Sequence, residues 1–265
     1  MNKIVFKDNN DIKQTIDFLY MDEKFIVVNK PAHLPVIPDR FGSYNYNLRD
    51  IMQKYLEKAE SGSNIFVVHR IDVDTTGLVL LARDENSHRY LNDQFESRQI
   101  EKKYLAVIHS HLPAAEGMID KPILKTVRRM IVNEKGKPSK TEYKVLERFE
   151  NYSLVELKPL TGRTHQLRVH MKSMDCPLAV DPLYGKNEAF YLQQIKSNFQ
   201  QKENKKPRAL CARLTLHASQ LNFTGPDNRT MHFEAPLPKD FMALLKSLRK
   251  YNTYHSEAVS ESQIL

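Results

Sequence analysis

Cysteine is almost absent from this 265-residue chain, which holds only Cys176 and Cys211, far apart and in no CxxC pair. That usage argues against a structural zinc site built on cysteines. The sparse usage suits a reducing compartment, so a cytoplasmic location is expected. Long apolar runs are missing too: none approaches the roughly 18 residues of a membrane span, and no membrane partner is expected. The opening MNKIVFKDNND lacks an apolar core followed by a small-residue cleavage site and does not read as a signal peptide. Neither GxGxxG nor GxxxxGK(S/T) occurs, which argues against the common glycine-rich nucleotide loops.

What is present is a basic chain of ordinary globular composition. It is 41% apolar and 27% charged, and its 40 Lys and Arg against 32 Asp and Glu give a formal net charge of +8. That length suffices for one large domain or two small ones. The basic surplus favours a polyanionic partner, most simply nucleic acid.

Along the chain, residues 1–15 read as a polar lead-in. Residues 16–20 and 25–29 alternate around a polar turn, as a hairpin does. Residues 47–59 have helical spacing with Asn47 as N-cap, and residues 85–98 form a second helix. Residues 103–109 alternate as a strand, 142–149 and 152–160 pair across a tight turn, and 214–223 and 230–234 form a further pair. The basic stretch 113–140 reads as a hairpin leaving the body, 161–175 as a helix, 186–208 as a Lys-rich surface insertion, and 251–265 as a disordered tail. Strands mixed with a few helices, without regular βαβ alternation, predict an α+β fold with a mixed, mostly antiparallel sheet over residues 16–250.

The chemistry concentrates in VVHRIDVDTTGLVLLARD, residues 67–84. Two apolar runs flank a turn holding His69, Arg70, Asp72, Asp74, two threonines and Gly77. Charges between core strands are costly unless paired or used. A partly desolvated carboxylate held by an arginine is a good nucleophile, which singles out Asp72; Asp74 reads as structural, capping the turn. In TGRTHQLRVH, His165 and His170 are five apart with no glutamate between them, so the metal reading is weak. Arg163 and His165 stand where a helix would start and where backbone N–H groups favour phosphate. Arg168 either shares a face with His165 or turns inward to a carboxylate such as Asp72. Tyr104 is a half-buried strand tyrosine or an aromatic platform for a base. Lys121, Arg128 and Arg129 in the basic tract are the natural phosphate contacts.

HRIDVDTTGLVLLARD resembles the HRLDxxTSGLLLxAK signature of the RluA family of RNA pseudouridine synthases. FLYMDEKFIVVNKPAHLPV, EKKYLAVIHS, LKPLTGRTHQLRVHM, DPLYGK and LTLHASQLNF resemble its further blocks, in order, over roughly residues 17–245. The resemblance implies a sheet split by a central catalytic cleft flanked by helices and loops, no cofactor, no metal, and a structured ribosomal or transfer RNA as partner, with a monomer as the default state. It implies that Asp72 is the essential aspartate, Tyr104 the active-site tyrosine, Arg168 the arginine pairing with the aspartate, and Arg70 the arginine that helps to flip the base. His69, Thr76, Gly77, Arg163, His165, Leu167 and Val169 are then expected near the RNA, with Leu167 or Val169 against the uracil. Ile71, Thr76 and Val180 depart mildly from the family pattern. The lead-in is too short for the S4 RNA-binding domain that many relatives carry. Two rivals make distinct demands. A glycoside hydrolase needs a second carboxylate about 5–10 Å away, and a non-catalytic RNA-binding factor tolerates loss of Asp72.

Overall fold

The alternating and apolar runs become strands of one sheet. A computed structural model describes residues 3–8, 11–38, 43–59, 64–196, 207–225 and 228–254. In chain order the elements are β1 (Lys3–Lys7), β2 (Lys13–Met21), β3 (Phe25–Lys30), α1 (Leu48–Ala59), β4 (Phe66–Val67), β5 (Thr76–Ala82), α2 (Glu85–Glu96), β6 (Glu101–His109), β7 (Glu116–Asp120), β8 (Ile123–Lys125) and β9 (Met130–Val132). There follow β10 (Lys140–Arg148), β11 (Tyr152–Pro159), α3 (Gln166–Ser173), β12 (Phe190–Tyr191), β13 (Ala209–Cys211), β14 (Leu216–Thr224), β15 (Thr230–Glu234) and α4 (Lys239–Tyr251). The main sheet runs β1-β2-β3-β5-β14-β6-β11-β10-β7, with β4 also on β5 and β15 also on β14. The expected α+β class and mixed, mostly antiparallel sheet are both found.

The parallel pairing lies in the middle, where β5 meets β14 through Thr76↔His217 and Gly77↔Ala218. All seven residues of β5 are buried, as expected of a strand covered on both faces. Gly77 has φ +110, and a Cβ there would sit 2.2 Å from the Ala218 carbonyl oxygen. Only glycine permits both the backbone conformation and the close approach. Across the same row Ala218 faces Tyr104 of β6, so the sheet's tightest crossing stands beside the candidate tyrosine.

Separate cores flank this crossing. One packs β2, β3 and β5 against α1, with Ile26, Val28, Leu48, Met52 and Leu80 fully buried. Others gather β6, β11 and α3, and then α4 with Phe190 and Phe241. The helix ends are set by their caps: Asn47 Oδ1 accepts the Asp50 N–H at 3.0 Å, and Asp84 accepts from Ser87 at 2.9 Å.

Several boundaries differ from the sequence expectation. The lead-in is not wholly loose: β1 pairs with β2 from Lys3↔Asp17 to Lys7↔Lys13. Its weak apolar signal reflects an edge strand with one face in solvent. The insertion docks at both ends, because β12 pairs with β13 and Phe190 is fully buried; residues 197–206 lie outside the described part. The tail begins by packing. Asn252 is buried and its side chain meets Asn151 and Glu150, while residues 255–265 lie outside the description. The projecting hairpin is only β8–β9, since β7 belongs to the main sheet.

Candidate active site

Arg168 settles its own ambiguity by pointing inward. It sits on α3 in the first turn, and its guanidinium is 8% exposed. Nε and Nη2 donate to the two oxygens of Asp181, each at 2.8 Å, and Nη1 donates to Asp72 Oδ2 at 3.1 Å. Asp181 is fully buried and also accepts the backbone N–H groups of Leu183 and Tyr184. This geometry divides the labour between the carboxylates. Asp181 clamps the arginine from behind by a two-point fork, and the remaining edge is presented to Asp72, whose side chain is 24% exposed. Burial alone would lower the Arg168 pKa, but hydrogen bonds and charge from Asp181 and Asp72 outweigh it and raise it. The guanidinium is therefore a permanent cation.

The loop carrying Asp72 is fixed from below. Lys30, fully buried, donates from Nζ to the carbonyls of Pro31, Leu34 and Val73 at 2.8–2.9 Å. Burial pushes Lys30 down to about 7, with Asp74 and Asp72 acting against it. Three carbonyl acceptors use all three ammonium protons, so the cationic form is the one that builds the loop. Asp74 faces away toward His33, 2.7 Å from its Nδ1. Donating to the Asp74 carboxylate raises the His33 pKa. The described partner of Asp74 is His33 rather than the turn it was expected to cap.

A cavity of about 540 Å³ opens over Asp72. Its walls come from the loop before β5, the end of α2, β6 and the loop from β11 into α3, with Leu216 of β14 behind. Five cations line it (Arg70, Arg98, Lys102, Arg163 and Arg168) against two carboxylates, Asp72 and Glu96. Such a lining attracts a polyanion. Burial and the Asp72 charge both raise the Tyr104 pKa, so its phenol keeps its proton through the neutral range.

The expected residues divide. Asp72, Tyr104, Arg168, His69, Arg70, Arg163, His165 and Leu167 all line the cavity. His69 lines it with an imidazole already in use: Nε2 accepts the Leu80 N–H at 2.9 Å and the ring stacks on Phe95. Burial pushes it down to about 3, which keeps it neutral. Six of the expected RNA-contact residues, Thr76, Gly77, Val169, Lys121, Arg128 and Arg129, stand outside the cavity walls. Thr76 is buried with its hydroxyl 2.8 Å from His217 Nδ1, and Gly77 is a packing glycine. Val169 faces Ile123 and Tyr184 on the far side of α3. Lys121 donates to the Ser173 carbonyl at the end of α3. Arg128 and Arg129 are exposed on the β8–β9 turn, away from the cavity walls.

The helix start also differs, since residues 161–165 form a loop. Gln166 holds it, accepting from Thr161 and from the Arg163 N–H while donating to the Lys140 carbonyl. Asp181, Tyr184, Lys30 and Gln166 were missed as site-building residues. Each acts through a partner distant in sequence, and only the DPLYGK resemblance hinted at the first two. Among the described residues, no group of three or more His, Cys, Asp or Glu is arranged to hold a metal.

Comparison with known proteins decides the family. The family model described as RNA pseudouridylate synthase matches residues 24–173. The chain belongs to that family. It is 36% identical over 242 residues to the uncharacterized RNA pseudouridine synthase YlyB of Bacillus subtilis, covering 89% of this chain and 73% of that one. It is 35% identical over 224 residues to the dual-specificity RNA pseudouridine synthase RluA of Escherichia coli, covering 82% and 91%. Among solved structures, human RNA pseudouridylate synthase domain containing 4 matches with a TM-score of 0.69 and 26% identity, over 88% of this chain and 92% of that one. The family consists of isomerases that convert uridine to pseudouridine in RNA, and this chain is an enzyme of that class.

Proposed function

We propose that Asp72 is the reacting carboxylate of this isomerase and that it works on a uridine flipped out of a structured RNA. The observation that carries the reading is the Arg168–Asp72 contact at 3.1 Å on the floor of a basic cavity. Isomerisation breaks N1–C1′, turns the uracil and joins C5 to C1′. Atoms and electrons balance within the nucleotide, so the reading needs no cofactor. Asp72 acts as nucleophile at C1′ or as base at C2′; Arg168 holds and aims it, itself held by Asp181. Tyr104 supports the ring as a neutral phenol and relays the proton lost from C5 rather than resting as a phenolate.

A stacked uridine cannot reach this floor, and flipping takes a few kcal/mol. Arg70, exposed at the cavity rim, is placed to fill the vacated stack. Arg163, with Arg128 and Arg129 on the hairpin, supplies phosphate contacts that offset the flipping. A relative described as ribosomal large subunit pseudouridine synthase D, from Neisseria meningitidis, supports a ribosomal RNA target, with transfer RNA as the alternative. The test is a pseudouridine map of total RNA from cells carrying wild-type protein or Asp72→Asn. One or more sites should vanish in the variant, and an unchanged map would remove Asp72 from the reaction.

A further inference from the structure

Tyr184 has no part in the steps above, yet it meets three groups of the site. Its hydroxyl oxygen accepts the Met130 N–H at 3.1 Å and lies 2.9 Å from His165 Nδ1. Its ring lies under Arg168, with Cζ 5.0 Å from the centroid. The geometry favours one arrangement of the protons. An amide N–H only donates, so the phenol oxygen is the acceptor toward Met130. The phenol has one proton, and among the described residues its acceptor is His165 Nδ1. When the phenol donates this proton, Nδ1 is unprotonated and the imidazole proton sits on Nε2.

The backbone agrees that His165 is held for its side chain. His165 is the N-cap of α3 at φ 54, in the left-handed region, and its side chain makes no capping bond. Such a conformation in a residue other than glycine persists only where the surroundings impose it. Burial also disfavours the charged imidazole.

We propose that Tyr184 is a positioning residue that fixes His165 as its neutral Nε2–H tautomer, so that His165 meets an acceptor oxygen of the bound nucleotide as an uncharged donor. The proposal rests on the cleft being the uridine site. Neutrality has a use there, because an imidazolium would compete with Arg168 for Asp72. Met130 is the first residue of β9, directly after the Arg128–Arg129 turn, so the tautomer also depends on the basic hairpin being seated.

The experiment pairs ¹⁵N-histidine NMR with single-turnover kinetics on the full chain. His165→Ala assigns the signal. Wild type should show Nδ1 unprotonated and Nε2 protonated, and Tyr184→Phe should give a tautomer mixture while still unfolding cooperatively. On saturating RNA, Tyr184→Phe should react about tenfold more slowly, with RNA affinity changed less than about twofold. Inorganic phosphate and uridine serve as separate probes of the Nε2 signal. A shift with phosphate identifies a phosphate oxygen as the acceptor, a shift with uridine identifies a base or ribose oxygen, and a shift with neither overturns the donor role. A protonated Nδ1 in wild type, or a tautomer and rate unmoved in Tyr184→Phe, overturns the inference alone. Wild-type protein forming no pseudouridine would instead remove the reading of the cleft and leave the tautomer result standing.

Discussion

Asp72, Arg168 and Asp181 form a line in which one cation serves two carboxylates of unequal burial. The buried one anchors, and the part-exposed one faces the cavity. Tyr104 stands beside this line with its hydroxyl kept protonated. Tyr104→Phe should therefore slow turnover on saturating RNA by about tenfold to a hundredfold while RNA affinity changes little; equal losses in both, measured by single-turnover rate and filter binding, would assign the hydroxyl to binding instead. At this scale the sequence was informative where a charge broke an apolar pattern. Asp72 between two strands announced itself, whereas Arg168 within a base-rich run stayed open between two orientations until the resemblance implied its pairing. Asp181 and Lys30 did not, because each looks like an ordinary turn or strand-end residue until the fold brings its partners to it.

Among the elements, β5 and β14 set the site's frame. Their backbones approach so closely at Gly77 and Ala218 that a methyl group has no room. Gly77→Ala should destabilise the protein by about 3 kcal/mol through strain at φ +110 and the clash with the Ala218 carbonyl. Urea unfolding measures this, and a loss under about 0.5 kcal/mol would show that the crossing relaxes freely. The runs that became β2, β3, β5, β6, β10 and β11 were legible from alternation or from continuous apolar stretches. The ends of elements were less so. A run of bases suggested that α3 starts near residue 161, whereas Gln166 side-chain bonds hold residues 161–165 as a loop. The strand β1 was missed because its residues alternate too weakly to distinguish an edge strand from a polar lead-in. The buried Phe190 was missed because its short apolar run, residues 189–192, lies inside a Lys-rich polar stretch, and its pairing with β13 carries it inward.

For the whole molecule, acid is the expected weakness. His69, His165, His170 and His217 are all held neutral by burial, with His69 pushed to about 3 and His217 to about 4. In the unfolded chain they titrate near 6.5. Below that value the unfolded state binds protons that the native state refuses, so stability falls as pH falls from about 6.5 toward 4. His69 and His217, pushed to about 3 and about 4, each add up to about 1.4 kcal/mol per pH unit in that window. Urea melts at pH 7 and pH 5 should differ by several kcal/mol, and equal stabilities would show that these rings are protonated in the native state.

The basic cleft, the arginine-held carboxylate and the family membership converge on one reaction, and its most direct measurement is tritium release from RNA carrying C5-tritiated uridine. Purified wild-type protein should release tritium and leave pseudouridine in the RNA. Asp72→Asn should bind the same RNA with similar affinity and release at least about a thousandfold less. Release by Asp72→Asn at a rate near wild type would contradict the central role given to the carboxylate that Arg168 holds.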